Sequence, residues 1–211
     1  MSSRLADSLC ELARSFFARG LAFGSTGNLS VRDNAVIWIT PTGVSFRDLQ
    51  PEQLALISEA GEERNVCRPS KEFPFHLGCY RAAGARAQAV VHLHAPHSVA
   101  LSCLEDLSAG EPLPVFTPYY LMRVAPLAIV PYFRPGSPQL AAAVEAAARD
   151  HDVLLLRNHG SIALGRTLEE AADRAEELEE TAKLYFLLRG ERIRYLTAAE
   201  RAEIEQAFPC R

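Results

Sequence analysis

The sequence lacks an apolar run of the roughly 18 residues that a membrane-spanning helix needs. Its start, Met1 to Leu5, lacks the long apolar region of a signal peptide, so we expect a cytoplasmic protein with no membrane partner. Basic residues are not in excess: 22 lysines and arginines face 26 aspartates and glutamates, for a net charge of −4. This balance gives no basic footprint for nucleic acid and favours a small-molecule partner.

Cysteine is also scarce, and its spacing is uninformative for metal binding. The five cysteines are an odd number and contain no CxxC pair. This argues against a disulfide framework and against a thiolate zinc cage. We expect reduced thiols, mostly in the core, at Cys10, Cys67, Cys79, Cys103 and Cys210.

The length and hydrophobic patterning predict a single α/β domain over residues 1–211, with helices flanking a central sheet. Helical periodicity and end signals predict five helices, at 3–19, 72–83, 97–104, from about 138 to 150, and 167–189. Short apolar or β-branched runs predict six strands, at 29–32, 36–40, 54–57, 89–94, 127–130 and 153–156. Residues 197–211 either cover a site or pack on the domain.

Three of the six histidines fall at predicted strand ends. His92 and His94 are two apart on one strand, and His159 follows another. Alternate residues of a strand share a face, so two imidazoles can converge on one ion and a third can join from a neighbouring strand. Three imidazoles with an open position suit catalytic zinc, although manganese and cobalt accept the same ligands. The pair alone leaves open an ordinary pair of partly buried histidines.

Glu72 opens a predicted helix, directly after Pro69-Ser70-Lys71. A carboxylate at this position is favourable for the helix start, because it lies beside free backbone N–H groups. The functional alternative makes Glu72 a fourth metal neighbour or a general base.

Three short segments have the small residues and donors that a phosphate cradle needs. Each segment alone is typical of an ordinary turn, and only the set is specific. The segments are Gly27-Asn28 with Ser30, Thr42-Gly43, and Ser70-Lys71.

Other polar residues have weaker signals. His76 lies one helical turn after Glu72 and is expected to pack or to support the site. His97 is expected to support the metal ligands through hydrogen bonds. Tyr119 and Tyr120 are interface residues or a proton donor, and sequence alone favours the interface.

The combined pattern resembles the class II aldolase/adducin family over nearly the whole chain. This family includes L-fuculose-phosphate aldolase and ribulose-phosphate 4-epimerase. The resemblance implies a three-layer α/β/α domain with a central, mainly antiparallel sheet. It is carried by five ordered motifs: Gly24-Ser25-Thr26-Gly27-Asn28-Leu29-Ser30-Val31-Arg32, Ile39-Thr40-Pro41-Thr42-Gly43, Pro69-Ser70-Lys71-Glu72, Val91-His92-Leu93-His94-Ala95 and Arg157-Asn158-His159-Gly160.

The resemblance also implies residue roles. His92, His94 and His159 would be zinc ligands, and Glu72 would be an acid/base that also touches zinc in the empty site. The substrate phosphate would be bound by Asn28, Thr42, Gly43, Ser70 and Lys71. The aldolases of the family usually have a second serine where Lys71 stands, so the phosphate pocket is expected to differ here.

The segments around Lys71, 117–123 and 132–136 look more like the family's decarboxylase branch. That branch converts a 3-oxo-tetronate 4-phosphate into dihydroxyacetone phosphate and CO2, through an enediolate that a metal ion stabilises. Tyr120 would be the proton-donating tyrosine, which the aldolases take from an adjacent subunit of a cyclic tetramer. The alternatives are a zinc-dependent sugar-phosphate aldolase or epimerase, and a non-catalytic adducin-like binding module.

Overall fold

The structure is a computed structural model that describes residues 2–107 and 112–208, with side chains from residue 4 onward. The described residues form seven α-helices and seven β-strands. The helices are α1 Ser2–Ala18, α2 Phe73–Ala83, α3 Pro96–Ser102, α4 Pro118–Arg123, α5 Pro138–Ala147, α6 Leu168–Leu187 and α7 Ala198–Ala207. The strands are β1 Asn28–Asp33, β2 Val36–Ile39, β3 Ala55–Ser58, β4 Ala89–Leu93, β5 Leu127–Val130, β6 Val153–Leu156 and β7 Gly160–Gly165.

The strands form one mixed sheet in the order β3-β2-β1-β4-β7-β6-β5. Neighbouring strands run antiparallel except β5 and β6, which are parallel. The prediction of a mainly antiparallel central sheet is confirmed. Strand β4 lies in the middle of this sheet, hydrogen-bonded to β1 and β7.

Helices cover both faces of the sheet, which gives the expected three layers. Helices α1 and α6 pack on the face that carries Val91 and Leu93 of β4. Helices α2 and α5 pack on the opposite face, with Val90. Because side chains alternate along a strand, His92 points to the same side as Val90, towards α2.

Most predicted elements are present with shifts of a few residues at their ends. Three elements go beyond the prediction: β7, α4 and α7. Strand β7 follows β6 after a short turn, in which Asn158 has a left-handed φ of 52°. Helix α7 packs against α4, so the described part of the C-terminal segment packs on the domain.

The cysteine prediction is half correct for the described residues. Cys10 and Cys79 are buried thiols, whereas Cys67 is partly exposed and Cys103 is exposed. Cys210 lies outside the described residues. Within residues 2–107 and 112–208, no helix combines the length and apolar character needed to cross a bilayer.

Candidate metal centre and substrate pocket

The structure brings His92, His94, His159 and Glu72 together. One ligand atom from each of the four residues lies within 4.8 Å of the others. The Nε2 atoms of His92 and His94 are 3.0 Å apart. Glu72 reaches His92 Nε2 through Oε2 and His159 Nε2 through Oε1, each at 3.4 Å. The four side chains therefore face one point.

The sheet and one tight turn place the three imidazoles. His92 lies in β4, and His94 comes directly after that strand, where the chain turns into α3. His159 lies in the turn between β6 and β7. The close approach of this turn to β4 requires Gly160, because a Cβ atom there would overlap the carbonyl oxygen of Leu93.

The ring of His92 is fixed in orientation by a backbone contact. Its Nδ1 lies 2.8 Å from the carbonyl oxygen of Ser161. A carbonyl can only accept, so Nδ1 carries the hydrogen and, in a neutral ring, the lone pair of Nε2 points into the cluster. Metal-ligating histidines are commonly held by such a second hydrogen bond.

The arrangement fits a divalent metal ion. Oε1 of Glu72 is buried and has no hydrogen-bond partner among the described residues. Buried polar atoms are normally partnered, so an unpartnered carboxylate oxygen beside converging imidazole nitrogens matches the donor set of a transition metal.

The pKa values follow from this crowding. Burial would raise the pKa of Glu72, but the charge of His92, the close contacts with the His92 and His159 rings and the hydrogen bond from Asn28 hold the pKa well below its usual range. Burial lowers the pKa of His94 to about 3, with further lowering by His92, His159 and Lys71. Burial also lowers the pKa of His159. The cluster therefore presents a carboxylate together with neutral His94 and His159 rings at neutral pH.

The segments predicted to bind phosphate line the same pocket as the cluster. Backbone hydrogen bonds join two of them: Ser70 N donates to Thr40 O at 3.1 Å, and Thr42 N donates to Arg68 O at 3.2 Å. The lining of this pocket comprises Ser25, Thr26, Gly27, Asn28, Pro41, Thr42, Gly43, Ser70, Lys71, Glu72, His94, Val99, Pro135, Asn158 and His159.

Asn28 is in this pocket, but its amide is held by the protein. Nδ2 donates to Glu72 Oε2 at 2.9 Å, and Oδ1 lies 2.5 Å from His76 Nε2. His76 Nδ1 is 2.7 Å from Ser30 Oγ, which is also 2.7 Å from the hydroxyl of Tyr80. Ser30 is fully buried in this network and lies away from the pocket lining, so its inclusion with the phosphate segments is wrong.

His76 has the supporting position that its spacing from Glu72 predicts. The prediction for His97 is wrong. Nδ1 of His97 contacts Oε1 of Glu179 at 2.8 Å, and the backbone N–H of His97 donates to the same oxygen. Ser98 donates to Glu179 from both its backbone and its hydroxyl. His97 thus belongs to the start of α3 and not to the metal cluster.

Tyr120 and Tyr119 are in contrasting environments. Tyr120 is 3% exposed, within an apolar cluster of its own chain, whereas Tyr119 is 53% exposed. Burial of this kind does not favour the sequence-based interpretation of Tyr120 as an interface residue. Tyr132, on the loop after β5, is 59% exposed.

A model of the class II aldolase and adducin N-terminal domain matches residues 7–186. The chain belongs to the class II aldolase and adducin family. Among members of this family, it is 45% identical over 199 residues to a 3-oxo-tetronate 4-phosphate decarboxylase of Haemophilus influenzae. That match covers 93% of this chain and 94% of the relative.

Two further members extend the comparison. The crystal structure of YgbL from Escherichia coli superimposes with a TM-score of 0.93 at 43% identity, covering 96% of this chain and 98% of that one. A 5-methylthioribulose-1-phosphate/5-deoxyribulose-1-phosphate aldolase of Rhodospirillum rubrum is 38% identical over 185 residues, covering 86% of this chain and 80% of that aldolase. The family thus includes relatives named for two kinds of carbon-carbon cleavage.

Proposed function

We propose that this protein is a metal-dependent lyase that decarboxylates a 3-oxo-tetronate 4-phosphate to dihydroxyacetone phosphate and CO2. The observation that carries the proposal is the 45% identity, over 93% of the chain, to a relative named for that substrate. The clustered histidines and Glu72 beside a pocket rich in small and hydroxyl residues support it. The proposal treats residues 1–211 as one domain.

His92, His94, His159 and Glu72 are proposed to hold the metal, and zinc is the ion we propose. Manganese and cobalt accept the same ligands. When bound, a divalent ion supplies a Lewis acid that stabilises negative charge developing on the substrate's ketone oxygen.

The pocket is proposed to bind the phosphate through neutral donors. Thr42, Gly43 and Ser70 lie together because backbone hydrogen bonds join their segments. One amide hydrogen of Asn28 remains for a ligand after its bond to Glu72. Binding the phosphate away from the reacting bond keeps the substrate in register.

Glu72 is proposed to handle the proton. The bond between C1 and C2 breaks and CO2 leaves. The electron pair of that bond moves towards the ketone at C3. Glu72 takes a proton from water and delivers it to C2, so that one proton is consumed for each CO2 released. Its position among the metal ligands places this carboxylate beside the reacting carbons.

The test is CO2 release from 3-oxo-tetronate 4-phosphate by metal-loaded protein. We expect Glu72→Gln and His94→Ala to lose most activity, whereas His151→Ala, which removes a histidine outside the cluster, keeps it. Full activity in either of the first two variants would remove the proposed mechanism.

A proton-donating tyrosine from an adjacent subunit of a homotetramer is a separate part of the proposal. Tyr120 is the sequence-based candidate, although its burial makes Tyr119 and Tyr132 the phenols that protrude further from this chain. Phenylalanine variants of the three tyrosines should identify the donor by loss of activity. If the donor comes from a neighbour, mixing its inactive variant with Glu72→Gln subunits should restore part of the activity, and light scattering should give a tetramer mass.

A sugar-phosphate aldolase or epimerase is the second candidate, favoured by the 38% identity to a sugar-phosphate aldolase. Aldehyde release from fuculose or ribulose phosphates, with no CO2 release from the oxo acid, would replace the decarboxylase proposal. If the protein were a non-catalytic adducin-like module, metal analysis of protein purified without chelator would find no divalent ion.

A further inference from the structure

Lys71 is a cation without an anionic partner in the substrate pocket. It is exposed and is the only lysine or arginine among the described residues that line this pocket. Lys183, the other lysine of the chain, forms an ion pair with Glu180, whereas Lys71 has no ion pair with any described residue. A lysine without an ion pair, in a pocket that three of the four candidate metal ligands also line, is available to bind a ligand.

Lys71 directly precedes Glu72 in the chain and lines the pocket together with Glu72, His94 and His159. Gly136 packs against the Lys71 stem: a Cβ atom there would lie 3.7 Å from Lys71 Cγ. Ser70, in contrast, is buried and joined by its backbone to Thr40, on the side of Thr42.

The proposed substrate has an anion at each end, a phosphate on C4 and a carboxylate on C1. Neutral donors from the segments around Thr42 and Ser70 suffice for a phosphate. The carboxylate lies two bonds from the hydroxyl on C2, next to the reacting centre, where it meets the negative charge of Glu72. A cation on that side of the pocket offsets the repulsion.

We propose that Lys71 binds the carboxylate of the oxo acid, and so selects acids over sugar phosphates that lack this group. This inference rests on the proposed function. It changes the predicted role of Lys71 from phosphate binding to recognition of the leaving group. Because the carboxylate departs as neutral CO2, the ion pair is strongest in the ground state and is lost as the bond breaks. Lys71 therefore contributes to binding and selection of the substrate, and it does not lower the barrier of the bond-breaking step.

The experiment compares Lys71→Met with Lys183→Met, both loaded with metal. Calorimetric binding is measured for two unreactive ligands: a tetronate 4-phosphate, which has both anions, and dihydroxyacetone phosphate, which has only the phosphate. We expect Lys71→Met to weaken binding of the tetronate 4-phosphate about 10- to 100-fold, which is the usual effect of a lost charged hydrogen bond. Binding of dihydroxyacetone phosphate should weaken less than about threefold, because a screened charge far from the phosphate contributes little to its affinity.

Equal weakening of the binding of both ligands would assign Lys71 to the phosphate and overturn the inference. Unchanged binding of both ligands would also overturn it. Lys71→Arg should keep part of the preference, and Lys183→Met should keep all of it. In kinetics, Lys71→Met should raise KM without lowering kcat, and kcat should rise where bond breaking limits turnover. If the wild type released no CO2, the proposed function would fail. The carboxylate preference would still be measured by calorimetry, so the two failures are distinguishable.

Discussion

The side-chain amide of Asn28 donates a 2.9 Å hydrogen bond to Oε2 of Glu72. Its oxygen must then accept from His76 Nε2, which leaves Nδ1 of the neutral ring to accept from Ser30. Ser30 in turn accepts from the hydroxyl of Tyr80. Every hydrogen in this buried network is thereby assigned a direction, and Glu72 is held by the last donor.

We expect Asn28→Ala to weaken metal binding or activity about 10- to 100-fold, because groups that orient metal ligands have effects of this size. A chelator competition titration measures the affinity. Asn34→Gly is the control, since Asn34 is an exposed turn residue with a φ of 57°, which glycine adopts freely. Unchanged metal affinity and activity in Asn28→Ala would show that Glu72 does not depend on this bond.

Acid should destabilise the protein through His76. Burial lowers its pKa from 6.5 to about 3, so below pH 6.5 the unfolded chain binds a proton that the folded chain excludes. Stability contributed by neutral His76 is present above pH 6.5 and is lost towards pH 3, by up to about 1.4 kcal/mol per pH unit.

His76→Gln keeps a donor and an acceptor but does not titrate, so its unfolding free energy should fall less between pH 6.5 and 5 than that of the wild type. Urea unfolding of the metal-free proteins at both pH values measures the difference. Equal losses in the two proteins would contradict this origin of the acid sensitivity.

Glu179 should matter more for stability than its neighbour on α6. It is 6% exposed and accepts bonds from the backbone and side chains of His97 and Ser98. Glu179→Gln should lose about 1–3 kcal/mol of unfolding free energy, because buried donors lose a charged acceptor. Glu180→Gln, in an exposed pair with Lys183, should lose less than about 1 kcal/mol. Chemical denaturation of both variants checks the ranking, which equal losses would refute.

Gly27 is needed for two reasons that a matched variant separates. Its φ is +78°, and an added Cβ would lie 2.8 Å from the carbonyl oxygen of His92. Gly20 has a similar φ of +73° with open space around it. Both alanine variants should lose roughly 1 kcal/mol from the left-handed backbone, and only Gly27→Ala should lose more and perturb metal binding. Similar melting temperatures for the two would eliminate the steric argument.

Removal of the metal should abolish activity without unfolding the protein. Dialysis against a chelator should lower the Tm, because Oε1 of Glu72 is then left unpartnered. Added zinc, manganese or cobalt should restore turnover to different extents. Metal analysis should find the ion in His151→Ala but not in His159→Ala. Full activity after exhaustive chelation would exclude a metal role.

Sequence reasoning reached much of the site because strand alternation and motif order are local signals. The grouping of His92 and His94 near His159 followed from spacing and resemblance, and the structure brings them together. Strand β7 was beyond reach because Gly160, Ser161 and Gly165 read as turn residues. They form a strand because β4 and β6 on either side satisfy their hydrogen bonds.

Long-range contacts account for the rest. His97 finds Glu179 across 82 positions of sequence, which no local pattern reveals. The burial of Tyr120 depends on the packing of α4, a helix of six residues with too few turns to show periodicity. The free charge of Lys71 is likewise visible only once its neighbours in space are known.

The position of β4 in the middle of the sheet has a consequence for the lifetime of the enzyme. Interior strands are the last to open in native proteins, so His92 and the start of the turn after it resist local unfolding. An ion lost to a competing chelator would leave its three rings still gathered. Reloading would then proceed at the rate of metal diffusion and ligand exchange, without a refolding step.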